Sequence, residues 1–489
     1  MTDLITNLID EIGPGHMPST AYDTAWAARL GNTDSSLSNP ALSWLTKNQL
    51  PDGTWGAPAP MYYHDRVICT LAAMIALTYR GHREGDKSQV ELGKLALERI
   101  VGGATGGLSA DPNGATVGFE MIAPTLAAEA EELGIIKNQG NRILGRLSKL
   151  RAKKLQFLHE NMISRHVTMA FSAEMAGTDG KHMLDVENLQ ESNGSVGVSP
   201  SATAYFATYI KKGDEAALKY LRSIVKPDGG LPNVAPFDVF EIAWALWNLS
   251  FIPDLMKNGK LQPHLEFLSK AWRPRRGVGF AAGYSVKDSD DTGLVYDTLL
   301  RFGIERDLAS VLIYEEKDHF RCFELEANPS ISANIHVLSA LGQAGLDQKN
   351  SSVSKVLRFL QKAKGPSPFW VDKWHSSPYY ATTHAIIACA GLANHVVEEP
   401  VDWIVKSQNP DGSWGTYLPT AEETAYALQA LWIWNNRVAR VPKGSLRRGA
   451  RWLGENMDEP YPPLWIGKCL YSPHLVIRSA VISALALTQ

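Results

Sequence analysis

Cysteine is scarce in this chain. Cys69, Cys322, Cys389 and Cys469 stand far apart, each in an apolar context. They form neither a zinc spacing nor a disulfide framework, so reduced thiols in a cytoplasmic protein are expected. Net charge is scarce as well: a formal balance of −3 gives no electrostatic reason to expect nucleic acid as a partner. The start, "MTDLITNLIDEIGPGH", lacks the basic residues and long apolar run of a signal peptide. The longest apolar stretch, "VICTLAAMIALTY", is too short for a bilayer and reads as a buried helix, so no transmembrane segment is expected. With 489 residues, 45% hydrophobic and 20% charged, the composition is that of an ordinary soluble protein of two or three packed domains.

Alternating apolar runs are missing too, which argues against a sheet. Helical periodicity is abundant. In "DVFEIAWALWNLS" the residues Val239, Ile242, Ala243, Leu246 and Trp247 form one broad apolar face, and "VSKVLRFL" repeats the pattern. The fold class read from this is all-α, with short turns rich in Gly, Pro, Asn and Asp. Those turns repeat. "NQLPDGTWG", ending at Gly56, and "SQNPDGSWG", ending at Gly415, share Gln, Pro-Asp-Gly and Trp-Gly in register, and "LQESNGSVG" is a weaker copy. Pro-Asp-Gly reverses the chain, while Gln and Trp can tie one helix end to its neighbour, as expected of stacked helical hairpins. Fourteen tryptophans are many; packing between helices is the default reading for each.

The stretch "DSDDTG" packs Asp288, Asp290 and Asp291 at the head of the apolar segment "TGLVYDTLLRFG". A calcium loop is excluded, because spaced oxygen ligands and a distal Glu are missing. A helix cap, with Asp291 or Thr292 starting the helix, stays open. So does a proton donor: flanking carboxylates disfavour ionisation of Asp290, while a helix N-terminus stabilises its conjugate base. Such an acid holds its proton yet releases it to a very poor base. An alkene is such a base.

Nearly the whole chain resembles the class II diterpene cyclases, the copalyl-diphosphate-synthase type and its short bacterial members. The resemblance runs through "STAYDTAW", "NQLPDGTWG", "TVGFEMIAPTL", "LQESNGSVGVSPSATAYF", "GLPNVAPFDVFE", "DSDDTG", "DKWHSSPYYAT" and "LWIGKCLY". It implies a β/γ didomain of two α/α barrels, with residues 1–34 and 250–489 forming β and 35–249 forming an inserted γ domain. It implies a hydrophobic active-site cavity between the barrels. The family's acidic motif maps onto Asp288, Asp290 and Asp291, with Asp290 as the general acid that protonates geranylgeranyl diphosphate. His336 falls at the acid's polar partner, with Ser332 one turn earlier as its support; a satisfied core histidine is the alternative. Phe171, Trp244, Tyr284, Trp374 and Tyr380 are candidates to face the cations, each weighed against core packing. Lys153 and Lys154 match the family's diphosphate contact, or else form a solvated helix face. Asp111 and Glu120 remain of the family's acidic stretch and suit Mg²⁺. The metal-rich motif of the plant relatives' third domain is absent. The diphosphate is therefore retained, and a downstream class I terpene synthase is the implied user of the product.

The resemblance also bears on the product. Members that make the ent labdane skeleton hold a deprotonating water with a His and an Asn. Here the Asn position is Asn233 and the His position is Phe171, which cannot hold that water. Hydride and methyl shifts are then expected, leading to a clerodane, kolavenyl diphosphate. Halimadienyl (tuberculosinyl) or copalyl diphosphate are alternatives, as is drimenyl diphosphate from farnesyl diphosphate. A triterpene cyclase would carry more of the Gln–Trp turns, a prenyltransferase needs zinc ligands, and a glycosidase needs two opposed carboxylates. A non-catalytic helical scaffold gives no reason for the acidic cluster.

Overall fold

The computed structural model describes the chain apart from residues 103–114, 138–150, 157, 254, 256–257 and 327. Helices dominate; among the described residues the one sheet is a hairpin pairing Trp465–Ile466 with Leu470–Tyr471.

Six helices close a ring, each touching the next: Asp238–Leu249, Ser289–Arg301, Ile331–Gln343, Pro378–Cys389, Ala421–Arg437 and His474–Thr488, the last returning to the first. They are buried almost all round, as the inner wall of a barrel must be. Amphipathic helices such as Gln262–Ala271, Ser351–Lys364 and Lys443–Glu455 pack outside them, joined by the N-terminal helix Thr2–Glu11. Local signals start the inner helices. Ser330, Ser377 and Thr420 each accept a backbone N–H of the first turn, and Pro378 follows its cap directly.

A second ring joins Ala21–Ala28, Tyr63–Arg80, Phe119–Glu132, the 3₁₀ segment Thr168–Ala176 and Pro200–Tyr205, and has its own hydrophobic core. The chain thus leaves the first barrel near Met17, builds the second, and returns by Val234. The crossing is tied by Glu241, whose carboxylate accepts the backbone N–H groups of Gly13, Gly15 and His16. Helix Ala21–Ala28 packs in the inserted barrel and helix Asp238–Leu249 in the outer one. The boundaries expected at 34/35 and 249/250 put both on the other side. The cause is that each helix buries its apolar face against the barrel that the chain enters next.

The repeated turns act as ties. Gln49 Nε2 donates to the carbonyls of Gly53 and Gln89, and Gln408 Nε2 to those of Gly412 and Ser445. Trp55 and Trp414 each donate their indole N–H, at 2.8 Å, to the carbonyl ten residues before. Gly53 and Gly412 have φ of +90° and +103°, and an added Cβ at either would strike the backbone of the next helix.

Candidate active site

Between the barrels lies a cavity of about 910 Å³, counting its mouth. Nine of its 19 described lining residues are aromatic. Phe171, Asn233, Tyr284 and Trp374 line it, together with Phe240, Phe280, Phe323, Trp465 and Tyr471 and all three of Asp288, Asp290 and Asp291.

The acidic stretch occupies one wall. Asp288 caps helix Ser289–Arg301, its Oδ1 accepting the Asp291 N–H at 2.7 Å. The helix therefore begins three residues before Thr292, whose hydroxyl instead bonds the backbone of Val278. Cap and acid are not rival readings: Asp288 takes the cap and leaves Asp290, one residue into the helix, free to face the cavity. Asp288 and Asp291 are 1% and 4% exposed, whereas the Asp290 side chain is 14% exposed. Burial drives the Asp288 carboxyl up to about 7, against the Asp291 N–H that lowers it; the charge of Asp290 adds to the rise. Burial, and then the charges of Asp288 and Asp290, push Asp291 well above the usual carboxylate range. Both shifts favour the protonated forms of this pair.

The Asp288 shift has a stability consequence. A carboxyl raised on folding lends stability that is complete below its ordinary value near 3.8 and is lost as pH rises through about 7. Asp288→Asn keeps the cap acceptor and deletes the titration. The melting temperature of the variant relative to wild type is expected to improve by about 2–4 °C between pH 5 and pH 8. A gap that stays constant across melts at those two pH values would contradict this.

His336 meets the acid directly: its Nδ1 lies 2.6 Å from Asp290 Oδ1. Ser332 does not support it, because its hydroxyl donates to Asp372 at 2.8 Å. The other His336 nitrogen contacts His384, 2.9 Å away, a residue the sequence reading missed. Its only signal there is a lone histidine on the apolar helix segment "ATTHAIIAC". Trp244 and Tyr380 are not among the lining residues and stand behind the wall. Trp244 stacks on Phe240 at 3.9 Å and donates its N–H to Tyr380 at 3.0 Å, so both brace the lining. Each is too deep in the barrel to present a ring face to the cavity.

Phe171 and Asn233 sit together on the wall, in settings composition did not reveal. Asn233 commits its amide N–H₂ to Asp23 at 3.0 Å and Cys469 Sγ at 3.3 Å. Over the Phe171 ring, at 4.7 Å, lies the ammonium of Lys468, a fully buried residue also missed from sequence. Lys468 donates to the Phe171 carbonyl, to Glu174 at 2.6 Å, and to Ser199 and Ser201. The ring's negative potential is thus already engaged by a cation. That weakens the expectation that Phe171 itself stabilises migrating charge.

The expected diphosphate and metal residues do not converge on this cavity. Lys153 and Lys154 are exposed and outside its lining. Lys154 is ion-paired with Glu120, three residues beyond the lining residue Val117. Asp111 lies outside the described residues. The one described His/Cys/Asp/Glu cluster with ligand spacing, Asp65, Cys69 and Cys469, is buried elsewhere.

Comparisons with known proteins agree with this architecture. Residues 323–460 match the family model for the squalene-hopene cyclase C-terminal domain. The chain is 47% identical over 481 residues to a type B diterpene cyclase of Mycobacterium tuberculosis, covering 96% of each. It is 29% identical to an ent-copalyl diphosphate synthase of Streptomyces sp. KO-3988, over 92% of this chain and 88% of that one. Among solved structures, ent-copalyl diphosphate synthase from Streptomyces platensis superposes with a TM-score of 0.79 at 28% identity, over 100% of this chain and 98% of that one.

Proposed function

The chain belongs to the bacterial class II diterpene cyclases, and from that premise we propose that it converts geranylgeranyl diphosphate into a rearranged bicyclic diphosphate, kolavenyl diphosphate, with Asp290 as the acid. One observation carries the acid assignment. All three aspartates border the cavity, but the Asp290 side chain is the most exposed of them, and His336 holds its other side. Asp290 gives its proton to the terminal alkene, and two ring-closing C–C bonds follow as each alkene attacks the cation before it. The cavity wall excludes water that would quench those cations. Substrate and product are isomers, so a proton lost at the end balances the one delivered.

The rearranged skeleton is supported by the Phe171 end of the wall. By the resemblance, the labdane cation forms beside Phe171 and Asn233. Phe171 cannot hold a water, and the N–H₂ of Asn233 is already committed. The Phe171 ring is already engaged by the Lys468 ammonium, whose charge Glu174 balances, whereas Asp290 becomes a carboxylate that attracts positive charge once its proton has left. Hydride and methyl shifts move the charge from the second ring back toward the first, the direction this field favours. Halimadienyl diphosphate is the product if the shifts stop part-way, and the 47% identity to a type B diterpene cyclase keeps that reading in view.

Magnesium is proposed as the partner of the diphosphate. The fit is partial: Glu120, the one described member of the expected pair, is half-exposed and shared with Lys154. Glu120, with Asp111, would hold a metal carried mainly by diphosphate oxygens, and the metal would screen their charge. Because the ester bond survives, a class I terpene synthase, which ionises such esters, is the proposed consumer.

Incubation with farnesyl, geranylgeranyl and squalene substrates, followed by phosphatase and mass spectrometry, tests the reading. A C20 clerodane alcohol is expected from geranylgeranyl diphosphate alone. Conversion of squalene, or of farnesyl diphosphate in preference, would overturn the substrate assignment. Phe171→His is expected to divert about half or more of the product toward unrearranged or hydroxylated labdanes, by restoring a partner for water. An unchanged product profile would count against the role given to this position.

A further inference from the structure

The hydrogen-bonded row behind Asp290 does not end at His336. On the neighbouring inner helix, His384 places Nδ1 2.9 Å from His336 Nε2. Rings enclose it: Trp247 at 4.6 Å, Tyr380 at 4.4 Å and Tyr426 at 5.7 Å. Its far nitrogen, Nε2, is buried without a hydrogen-bond partner among the described residues. Building on the assignment of Asp290 as the acid, we propose that His384 is a positioning residue: it sets the tautomer of His336 and thereby decides which Asp290 oxygen carries the transferable proton.

The count of N–H groups decides the tautomer. His384 is neutral, because burial, reinforced by His336 and His375, holds it well below the ordinary histidine range. The titratable groups around it are His336, His375, Tyr380 and Tyr426. Glu422 stands behind Tyr426 and Asp297 behind Trp247, and among the described residues no carboxylate pairs with His384 itself. A neutral imidazole has one N–H. Placed on Nε2, that N–H is a buried donor with no acceptor, which costs about 1–3 kcal/mol. Placed on Nδ1, it donates to His336 Nε2 and leaves only a bare lone pair unsatisfied. The second arrangement wins.

Its effect propagates. With Nε2 accepting, the single proton of neutral His336 sits on Nδ1 and donates to Asp290 Oδ1. The acidic proton of Asp290 is then on Oδ2, untied to the histidine. The same arrangement prevents a short circuit. For His336 to take the proton of Asp290 it must become imidazolium, with N–H groups on both nitrogens. His384 would have to turn acceptor and move its own proton to the partnerless Nε2. His384 thus keeps Asp290 charged with its proton, and His336 remains in place to stabilise the carboxylate after delivery.

Two near-isosteric variants separate donor from acceptor. In His384→Gln the amide N–H₂ still donates to His336; in His384→Glu an ionised carboxylate only accepts. With geranylgeranyl diphosphate and Mg²⁺ at pH 8.5, His384→Gln is expected to keep kcat within about fivefold of wild type, and His384→Glu to lose about 100-fold or more, with KM within about threefold in both. Lowering the pH to 6 is expected to restore His384→Glu in part, because the protonated carboxyl donates again. Equal kcat in the two variants at both pH values overturns the proposal. Should either variant fail to fold, ¹⁵N-histidine long-range correlation spectra of the wild-type enzyme decide instead. His336 protonated on Nδ1 and bare on Nε2 supports the proposal; the opposite tautomer or an imidazolium overturns it. Asp290→Asn assayed alongside separates the two levels. An active Asp290→Asn removes the acid assignment, whereas an inactive one with matched His384 variants removes only the tautomer role.

Discussion

Asp290→Asn is expected to lower kcat on geranylgeranyl diphosphate by at least about 10³-fold, toward the upper end of what a positioned acid contributes. No milder effect is consistent with the chemistry. An unactivated alkene is so weak a base that water, excluded by the wall of Phe240, Phe280, Trp374 and Trp465, cannot replace the acid. Asparagine keeps the size of the side chain and an oxygen for His336, so the variant is expected to melt close to wild type. Single-turnover assays paired with thermal melts check both halves. Turnover at the wild-type rate by a folded Asp290→Asn would end the reading of this cavity as a protonation site. Asp288→Asn is the contrast: Asp288 also borders the cavity, but its Oδ1 is engaged as the helix cap and the residue is only 1% exposed.

Lys468→Met is expected to cost about 3–5 kcal/mol of stability, the largest structural effect of any single change considered. Lys468 lies on the tight turn of the Trp465–Tyr471 hairpin and reaches into the inserted barrel, where Glu174, Ser199, Ser201 and the Phe171 carbonyl surround its ammonium. All of these groups are desolvated. Removing the cation strands the Glu174 carboxylate, which also accepts the Tyr22 hydroxyl at 2.9 Å. A buried, unpaired charge is far more costly than a buried pair. Lys468→Met combined with Glu174→Gln removes both charges and keeps a partner for Tyr22, so it is expected to recover more than half of the loss. Equilibrium denaturation of the two variants measures this. A single variant within about 1 kcal/mol of wild type would show the pair to be dispensable.

The two effects share an origin. Each removes one member of an interaction that is strong because water is absent. The same dryness that lets a carboxylic acid face an alkene makes the Lys468–Glu174 pair costly to break.

Much of the architecture was legible in order along the chain. Helical periodicity and the Pro-Asp-Gly reversals are encoded by residues within about one turn of each other, so "DVFEIAWALWNLS" and the "PDG" of "NQLPDGTWG" announce local geometry. The Trp and Gln of that turn find partners 10 and 40 residues away. The acidic cluster was legible for the same reason, because a cap and a first helical turn are local structures. What the linear order left open was decided by folding. The three clustered aspartates are indistinguishable until folding brings them all to the cavity lining, buries Asp288 and Asp291 and leaves Asp290 the more exposed side chain. Trp244 and Tyr380 look like lining residues until the barrel closes and puts them one layer back, and Ser332 looks like a support for His336 until Asp372 arrives from 40 residues away. His384 lies 48 residues from His336, and Lys468 lies 294 from Glu174. Hydrogen bonding and charge pairing act through space within a few ångströms, and a sequence orders residues only along the chain. Local encoding therefore determined the helices and the acid's place at a helix start. Only the closing of two barrels against each other decided how deeply each carboxyl of the cluster is buried and what stands behind Asp290.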